Sequence, residues 1–197
     1  MKPAAADSDA DLLRRALSGD AEAFSALYRR RHGAVYRYAF HMCGSEAIAE
    51  DVTQEVFLAL LRDGRGYESG RGSLASYLIG IARNQVLRIF ERERVSVPLM
   101  EEAEEELSAE RWLATPSDVL AQLTLQQTLD ALRKAVLSLP PAYREVVVLC
   151  DLEEMSYAQA AETLSCAVGT VRSRLSRARR MLMERMLSRV QSARCPA

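Results

Sequence analysis

Arginines at helical spacing give this chain of 197 residues its clearest chemistry. Arg172, Arg174, Arg177, Arg179, Arg180, Arg185 and Arg189 crowd one stretch, with only Glu184 to oppose them. A guanidinium is a planar fork of donors that fits phosphate oxygens and the N7/O6 edge of guanine. Among the arginines, Val171, Leu175, Ala178 and Leu182 recur every three or four residues, the spacing of a buried helical stripe. The run therefore predicts a helix with an apolar face turned inward and a cationic face turned outward. Just upstream, Ser156 and Gln159 have capping-box spacing, which predicts a helix from Tyr157 with Ala158, Ala161 and Leu164 inward. Ser165, Cys166 and Ala167 leave room only for a tight turn, and Gly169 and Thr170 open the second helix, with Thr170 as its cap. Two helices joined in this way form a helix-turn-helix, whose second helix enters the DNA major groove. The competing reading is a solvated basic helix in an ordinary helical hairpin. The short turn, the small residues of the first helix and the one-sided charge favour DNA.

Something must hold that unit, and the rest of the chain predicts helices for it. Leu, Ala, Arg and Glu dominate, glycine is sparse, and strand alternation is lacking, so the expected fold class is all-α. Val146 to Leu149 is the one β-like run, and it sits inside a helical pattern. The pattern divides into two small helical domains. In the first, over residues 9–95, helices are expected from Asp9 to Ser18, Ala21 to Met42, Ser45 to Arg62, and Ser73 to about Arg94. A glycine-rich loop, Gly64 to Gly72, interrupts them. In the second, over residues 117–191, Thr115-Pro116-Ser117-Asp118 is a strong helix start, and Leu139-Pro140-Pro141 breaks the chain before a helix from Ala142 to Leu152. Between them, residues 96–116 read as an acidic linker holding Glu101, Glu102, Glu104, Glu105 and Glu106. That cluster explains how a net charge of −1 coexists with a strongly basic C-terminal helix: affinity for nucleic acid follows the local patch, not the sum.

Several function classes are excluded. Only two histidines are present, His32 and His41, and no phosphate-binding glycine loop or H-E-x-x-H motif occurs, so no enzyme is expected. Cys43, Cys150, Cys166 and Cys195 form no C-x-x-C pair, so neither a metal nor another cofactor is expected. No apolar run reaches the length of a membrane span, and Met1 to Asp11 has no signal-peptide core, so the expected location is cytoplasmic, without membrane insertion.

With these elements in order, the chain resembles a bacterial RNA polymerase sigma factor of the extracytoplasmic-function (ECF) class. Three motifs carry the likeness: Ala49-Glu50-Asp51-Val52-Thr53-Gln54-Glu55-Val56-Phe57, Tyr77-Leu78-Ile79-Gly80-Ile81-Ala82-Arg83-Asn84, and the run from Asp151 through Arg180. The departures are local. The family has tryptophan at Tyr77, glycine at Glu154 and Ser165, and proline at Ala167. Ser165 is therefore expected in a left-handed or strained turn.

The resemblance implies a sigma-2-like helical bundle and a sigma-4-like helix-turn-helix domain. Their partners would be core RNA polymerase, through its beta-prime clamp and beta flap, and promoter DNA. An anti-sigma factor is also expected, and no small-molecule substrate. By resemblance, Asp51, Gln54, Glu55, Phe57 and Leu58 bind core polymerase. Tyr67, Arg71, Ser73, Arg83, Asn84 and Arg88 serve the −10 element and melting, with a flipped base held by the loop and Asn84. Tyr157, Thr170, Arg172, Ser173, Arg174, Arg177 and Arg180 serve the −35 element. Arg92 and Arg94 could hold phosphates or pair with Glu91 and Glu93. The acidic linker has two readings, a mimic of RNA in the polymerase channels and a solvated tether kept extended by its charge.

Overall fold

A computed structural model describes residues 7–96 and 116–194, and these are all-helical. The eight α-helices are α1 (Asp9–Leu17), α2 (Ala21–Cys43), α3 (Glu46–Asp63), α4 (Leu74–Ser96), α5 (Pro116–Leu137), α6 (Pro141–Val147), α7 (Tyr157–Thr163) and α8 (Val168–Arg194). Two 3-10 turns, Gly64–Gly66 and Ser69–Arg71, shape the loop before α4. The acidic cluster Glu101–Glu106 lies outside the described residues, as do the side chains of Arg71, Arg94 and Arg189.

Local signals set the helix ends. The Ser45 hydroxyl accepts from the Ile48 amide, the Asp20 carboxylate accepts from those of Glu22 and Ala23, and the Ser73 hydroxyl accepts from that of Ser76. Gly44 ends α2 at φ 75°, a left-handed value that favours glycine. In the first lobe α2 is the central element, packed against α1, α3 and α4. Leu27, Val35, Tyr38 and Met42 of α2 meet Val52, Val56 and Leu60 of α3 and Leu78, Ile79 and Val86 of α4 in the core. Each such side chain contributes about 1.5–3 kcal/mol by leaving water.

The second lobe is built on α8. Val146 to Leu149 is helical, as its context required, and all four residues are buried. The helix expected to run from Ala142 to Leu152 changes character on the way: α6 ends at Val147, and a π-type turn spans Val148–Leu152. The Ser156–Gln159 capping box is present in both directions, at 3.0 and 3.3 Å. Two details differ from expectation. Ala160, not Ala158, joins Ala161 and Leu164 inside, because the register of so small-residued a helix is set by its partner α8. Thr170 is not the cap of α8, which already begins at Val168; it lies in the first turn.

The turn between α7 and α8 is a Schellman motif. The Cys166 amide donates to the Ala161 carbonyl at 2.9 Å and the Ser165 amide to that of Glu162 at 3.1 Å. Ser165 therefore occupies the left-handed position, at φ 51°, and Glu154 takes a second one at φ 54°. These are the two positions where glycine was noted as the family's residue. Ser165→Gly and Glu154→Gly are each expected to stabilise the chain by about 0.5–1 kcal/mol, the left-handed strain being partly offset by glycine's greater freedom when unfolded. Urea titration of each variant checks this.

The two lobes share one continuous apolar core. A side chain on Gly44 would meet Leu137 of α5 at 2.8 Å, so the helices touch there. The Arg144 guanidinium on α6 donates to the carbonyls of Met42, Leu137 and Leu139, binding the end of α2 to the break after α5. Arg37 of α2 makes a bidentate pair with Glu153 at 2.9 and 2.8 Å, and Arg83 of α4 pairs with Glu145 of α6 at 2.9 Å.

Candidate nucleic-acid interface

The faces of α8 separate cleanly. Val171, Leu175 and Ala178 are buried, while Arg172, Ser173, Arg177 and Arg180 stand exposed on the opposite side. The capping box starts α7 so that Tyr157 lies at its first residue, and the Arg172 guanidinium sits 5.9 Å from the centre of the Tyr157 ring. Arg174 is half-buried and its charge reaches Glu145. Arg179 is held by Asp151 through bonds of 3.0 and 2.5 Å, and that pairing pushes its pKa up. It clamps α8 to the turn after α6 and is not available to DNA in this arrangement. Arg180 has only a 4.0 Å approach to Glu184.

A cleft of about 440 Å³ forms the second part of the surface. Its floor and walls come from the 3-10 turns and α4: Tyr67, Ser73, Tyr77, Gly80, Arg83 and Asn84. The Tyr67 hydroxyl donates to the Gly72 carbonyl at 3.0 Å, and its ring meets that of Tyr77 at 5.4 Å. These contacts shape the loop into a wall with two aromatic rings and one exposed amide, Asn84. The structure thus brings Tyr67, Ser73, Arg83 and Asn84 together, while Arg88 is exposed but does not line the cleft. Arg83 is engaged by Glu145. Burial raises the Glu145 carboxyl's pKa, and Arg83 opposes that rise. Glu162 and Thr163 of α7 and Ser165 of the turn after it close the far side, a contribution that no local pattern in the sequence indicates.

The face of α3 is the third part. Asp51, Gln54, Glu55 and Leu58 are exposed in one stripe, and Leu61 extends it. The i, i+3 step from Leu58 to Leu61 could have found that residue. Phe57 corrects the expected surface: it is buried, with its ring 4.7 Å from Tyr28 and edge-on to Phe24 at 6.4 Å. It belongs to the core because it follows Val52, Thr53 and Val56 around the inner face of α3.

Charge also gathers where the lobes meet. His41 of α2 is half-buried near Arg133 of α5 and Arg37 of its own helix. Burial first, and then these two cations, depress its pKa. The packed state therefore holds neutral His41, and the associated stability is present above the ordinary histidine value of about 6.5. It is lost as the pH falls toward the depressed value. His41→Asn is expected to show a shallower drop in Tm between about pH 7 and pH 5.5 than the unaltered chain.

A helix-turn-helix opposite a cleft on a helical bundle is the architecture of a sigma-70-type transcription factor. The sequence matches sigma-70 region 2 over residues 27–95 and sigma-70 region 4 over residues 129–182. It is 32% identical over 177 residues to the ECF RNA polymerase sigma factor SigM of Mycobacterium tuberculosis, covering 89% of this chain and 83% of that one. It is 35% identical over 159 residues to the ECF sigma factor SigE of Mycolicibacterium smegmatis, covering 80% of this chain but only 59% of SigE. Its fold is similar to that of the sigma factor RpoE from Bartonella quintana, solved in complex with the anti-sigma factor NepR. The TM-score is 0.64 at 24% identity, covering 83% of this chain and 96% of that one. The chain belongs to the ECF RNA polymerase sigma factors, non-enzymatic factors that direct promoter-specific transcription initiation. Among the described residues no helix is long and apolar enough to cross a membrane, and no cluster of metal-ligating side chains occurs.

Proposed function

We infer that this chain, in the cytoplasm, docks on core polymerase through the α3 stripe of Asp51, Gln54, Glu55, Leu58 and Leu61. It reads the −35 element with α8 and holds the melted −10 strand in the cleft of Tyr67, Ser73 and Asn84. The domains divide as residues 9–95 and 117–191, with 96–116 between them. The observation that carries the reading is the opposition of faces on α8. Arg172 and Arg177 stand exposed, with no carboxylate paired to them among the described residues, while Val171, Leu175 and Ala178 fix the helix from behind. Such a helix can enter a major groove and present forked donors to guanine. The aromatic walls and the amide of the cleft suit an unstacked base. The Bartonella complex supports an anti-sigma protein as a further partner.

Run-off transcription tests this. Core polymerase with this chain is expected to start at discrete promoters mapped by transcript 5′ ends. Tight duplex binding with no start at any promoter would instead make it a free-standing helix-turn-helix regulator.

A further inference from the structure

Two acids at the start of the helix-turn-helix turn to different helices. Glu153 takes Arg37 of α2, whereas Asp151 takes Arg179 of α8, 28 residues further on, through bonds of 3.0 and 2.5 Å. They stand at the end of the π-type turn, which the Glu153 amide closes on the Val148 carbonyl at 2.9 Å. Such local widenings are frequent at functional sites. The Asp151–Arg179 pair is solvent-exposed, so it adds little to stability. What it does instead is fix a guanidinium beside the face assigned to DNA. The Tyr157 hydroxyl lies against that same guanidinium, and the Tyr157 ring carries the Arg172 guanidinium 5.9 Å from its centre. Tyr157 is therefore held from two sides, its backbone by the capping box of α7 and its hydroxyl by Arg179.

We propose that Asp151 is a positioning residue for −35 recognition: it holds Arg179, Arg179 fixes the Tyr157 ring, and the ring presents Arg172 to the groove in one orientation. A free arginine loses rotamer freedom when it reaches a base, and one already resting on a ring loses less. Asp151 also keeps Arg179 from the phosphates, where it would add affinity for every sequence alike. The carboxylate thus serves specificity twice, by ordering one arginine and by withholding another. This rests on the reading of Arg172 as a base contact.

The test uses core polymerase carrying the full chain. Its probes are a fluorescein-labelled duplex with the −35 element found upstream of a mapped start, and the single substitutions of that duplex. Anisotropy gives the affinity for each, and discrimination is the ratio of intact to substituted duplex at the base pair that Arg172→Ala relaxes. Asp151→Asn is expected to lose discrimination there on the order of fivefold. It should also bind every duplex more tightly and steepen the salt slope by about one, because Arg179 is released to a phosphate. Tyr157→Leu is expected to lose as much discrimination with the slope unchanged, and Tyr157→Phe, which keeps the ring, to recover most of it. Neither Asp151→Asn nor Tyr157→Leu should lose more once Arg172→Ala is present, since both act through that one side chain. Tyr157→Leu, at an exposed helix start, keeps the test readable if Asp151→Asn disturbs its turn, with helix content by circular dichroism as a control. Full discrimination in either variant, or losses that add to that of Arg172→Ala, overturn the positioning role. If Arg172→Ala relaxes no base pair, the base-contact reading fails first and the positioning role with it.

Discussion

Leu175→Ala is expected to destabilise the second lobe by about 2–5 kcal/mol and to abolish −35 binding, although it leaves every arginine in place. Leu175 is 2% exposed at the middle of the inner stripe of α8, between Val171 and Ala178. It faces a lobe two of whose other helices cannot stand alone: α6 and α7 have seven residues each, too short to persist in water without packing. Removing three carbons, a methine and two methyls, forfeits their transfer from water and leaves a cavity that these short helices must line or collapse into. Against a total stability of about 5–15 kcal/mol, that loss leaves much of the lobe unfolded. Denaturant titration should show a lower midpoint with an unchanged slope. Arg180→Ala, on the exposed face, should move the midpoint by no more than about 0.5 kcal/mol. A loss under about 1 kcal/mol at Leu175 would mean that the stripe is not the core of the lobe.

Arg172→Ala should act on recognition alone. The side chain is exposed and lies against the Tyr157 ring, so its removal empties no core. The expected cost in duplex binding is about 1–3 kcal/mol, concentrated at one base pair of the −35 element. Arg172→Lys keeps the charge but loses the fork, so it should retain non-specific affinity while losing discrimination. Arg180→Ala gives the contrast. As a phosphate contact it should weaken all duplexes alike and lower the salt slope by about one. Titrating a series of duplexes with single substitutions in the −35 element at two salt concentrations separates the cases. A uniform loss for Arg172→Ala would reassign it to the backbone.

Much of this was legible because the signals are local. The Ser156 box, the Ser45 cap, Gly44 and the proline starts of α5 and α6 mark ends that lie within four residues of their cause. Ser165 pointed to left-handed backbone through the glycine the family has there, and it takes it; Glu154, where the family also has glycine, takes it too, though no expectation was attached to it. Features that depend on distant partners were not legible. Arg83 read as a free contact to the −10 element because its partner Glu145 lies 62 residues away, across the acidic segment. Phe57 was placed at the polymerase interface with Leu58 by resemblance; only the packing of Tyr28 and Phe24 decides which of the two turns inward. The π-type turn escaped for a similar reason. Val146 to Leu149 are apolar without interruption, so no periodicity shows where the helix widens.

The left-handed residues also bear on how the lobe assembles in time. Neither Ser165 nor Glu154 favours its backbone conformation by itself, so neither turn forms ahead of the packing that imposes it. With α6 and α7 too short to nucleate, the lobe is expected to start from its long helices α5 and α8, and these two joints to close late. Strain relieved at such late positions acts on the unfolding rate. The stability that Ser165→Gly adds should therefore appear as a slower loss of the native lobe, with the speed of its formation almost unchanged.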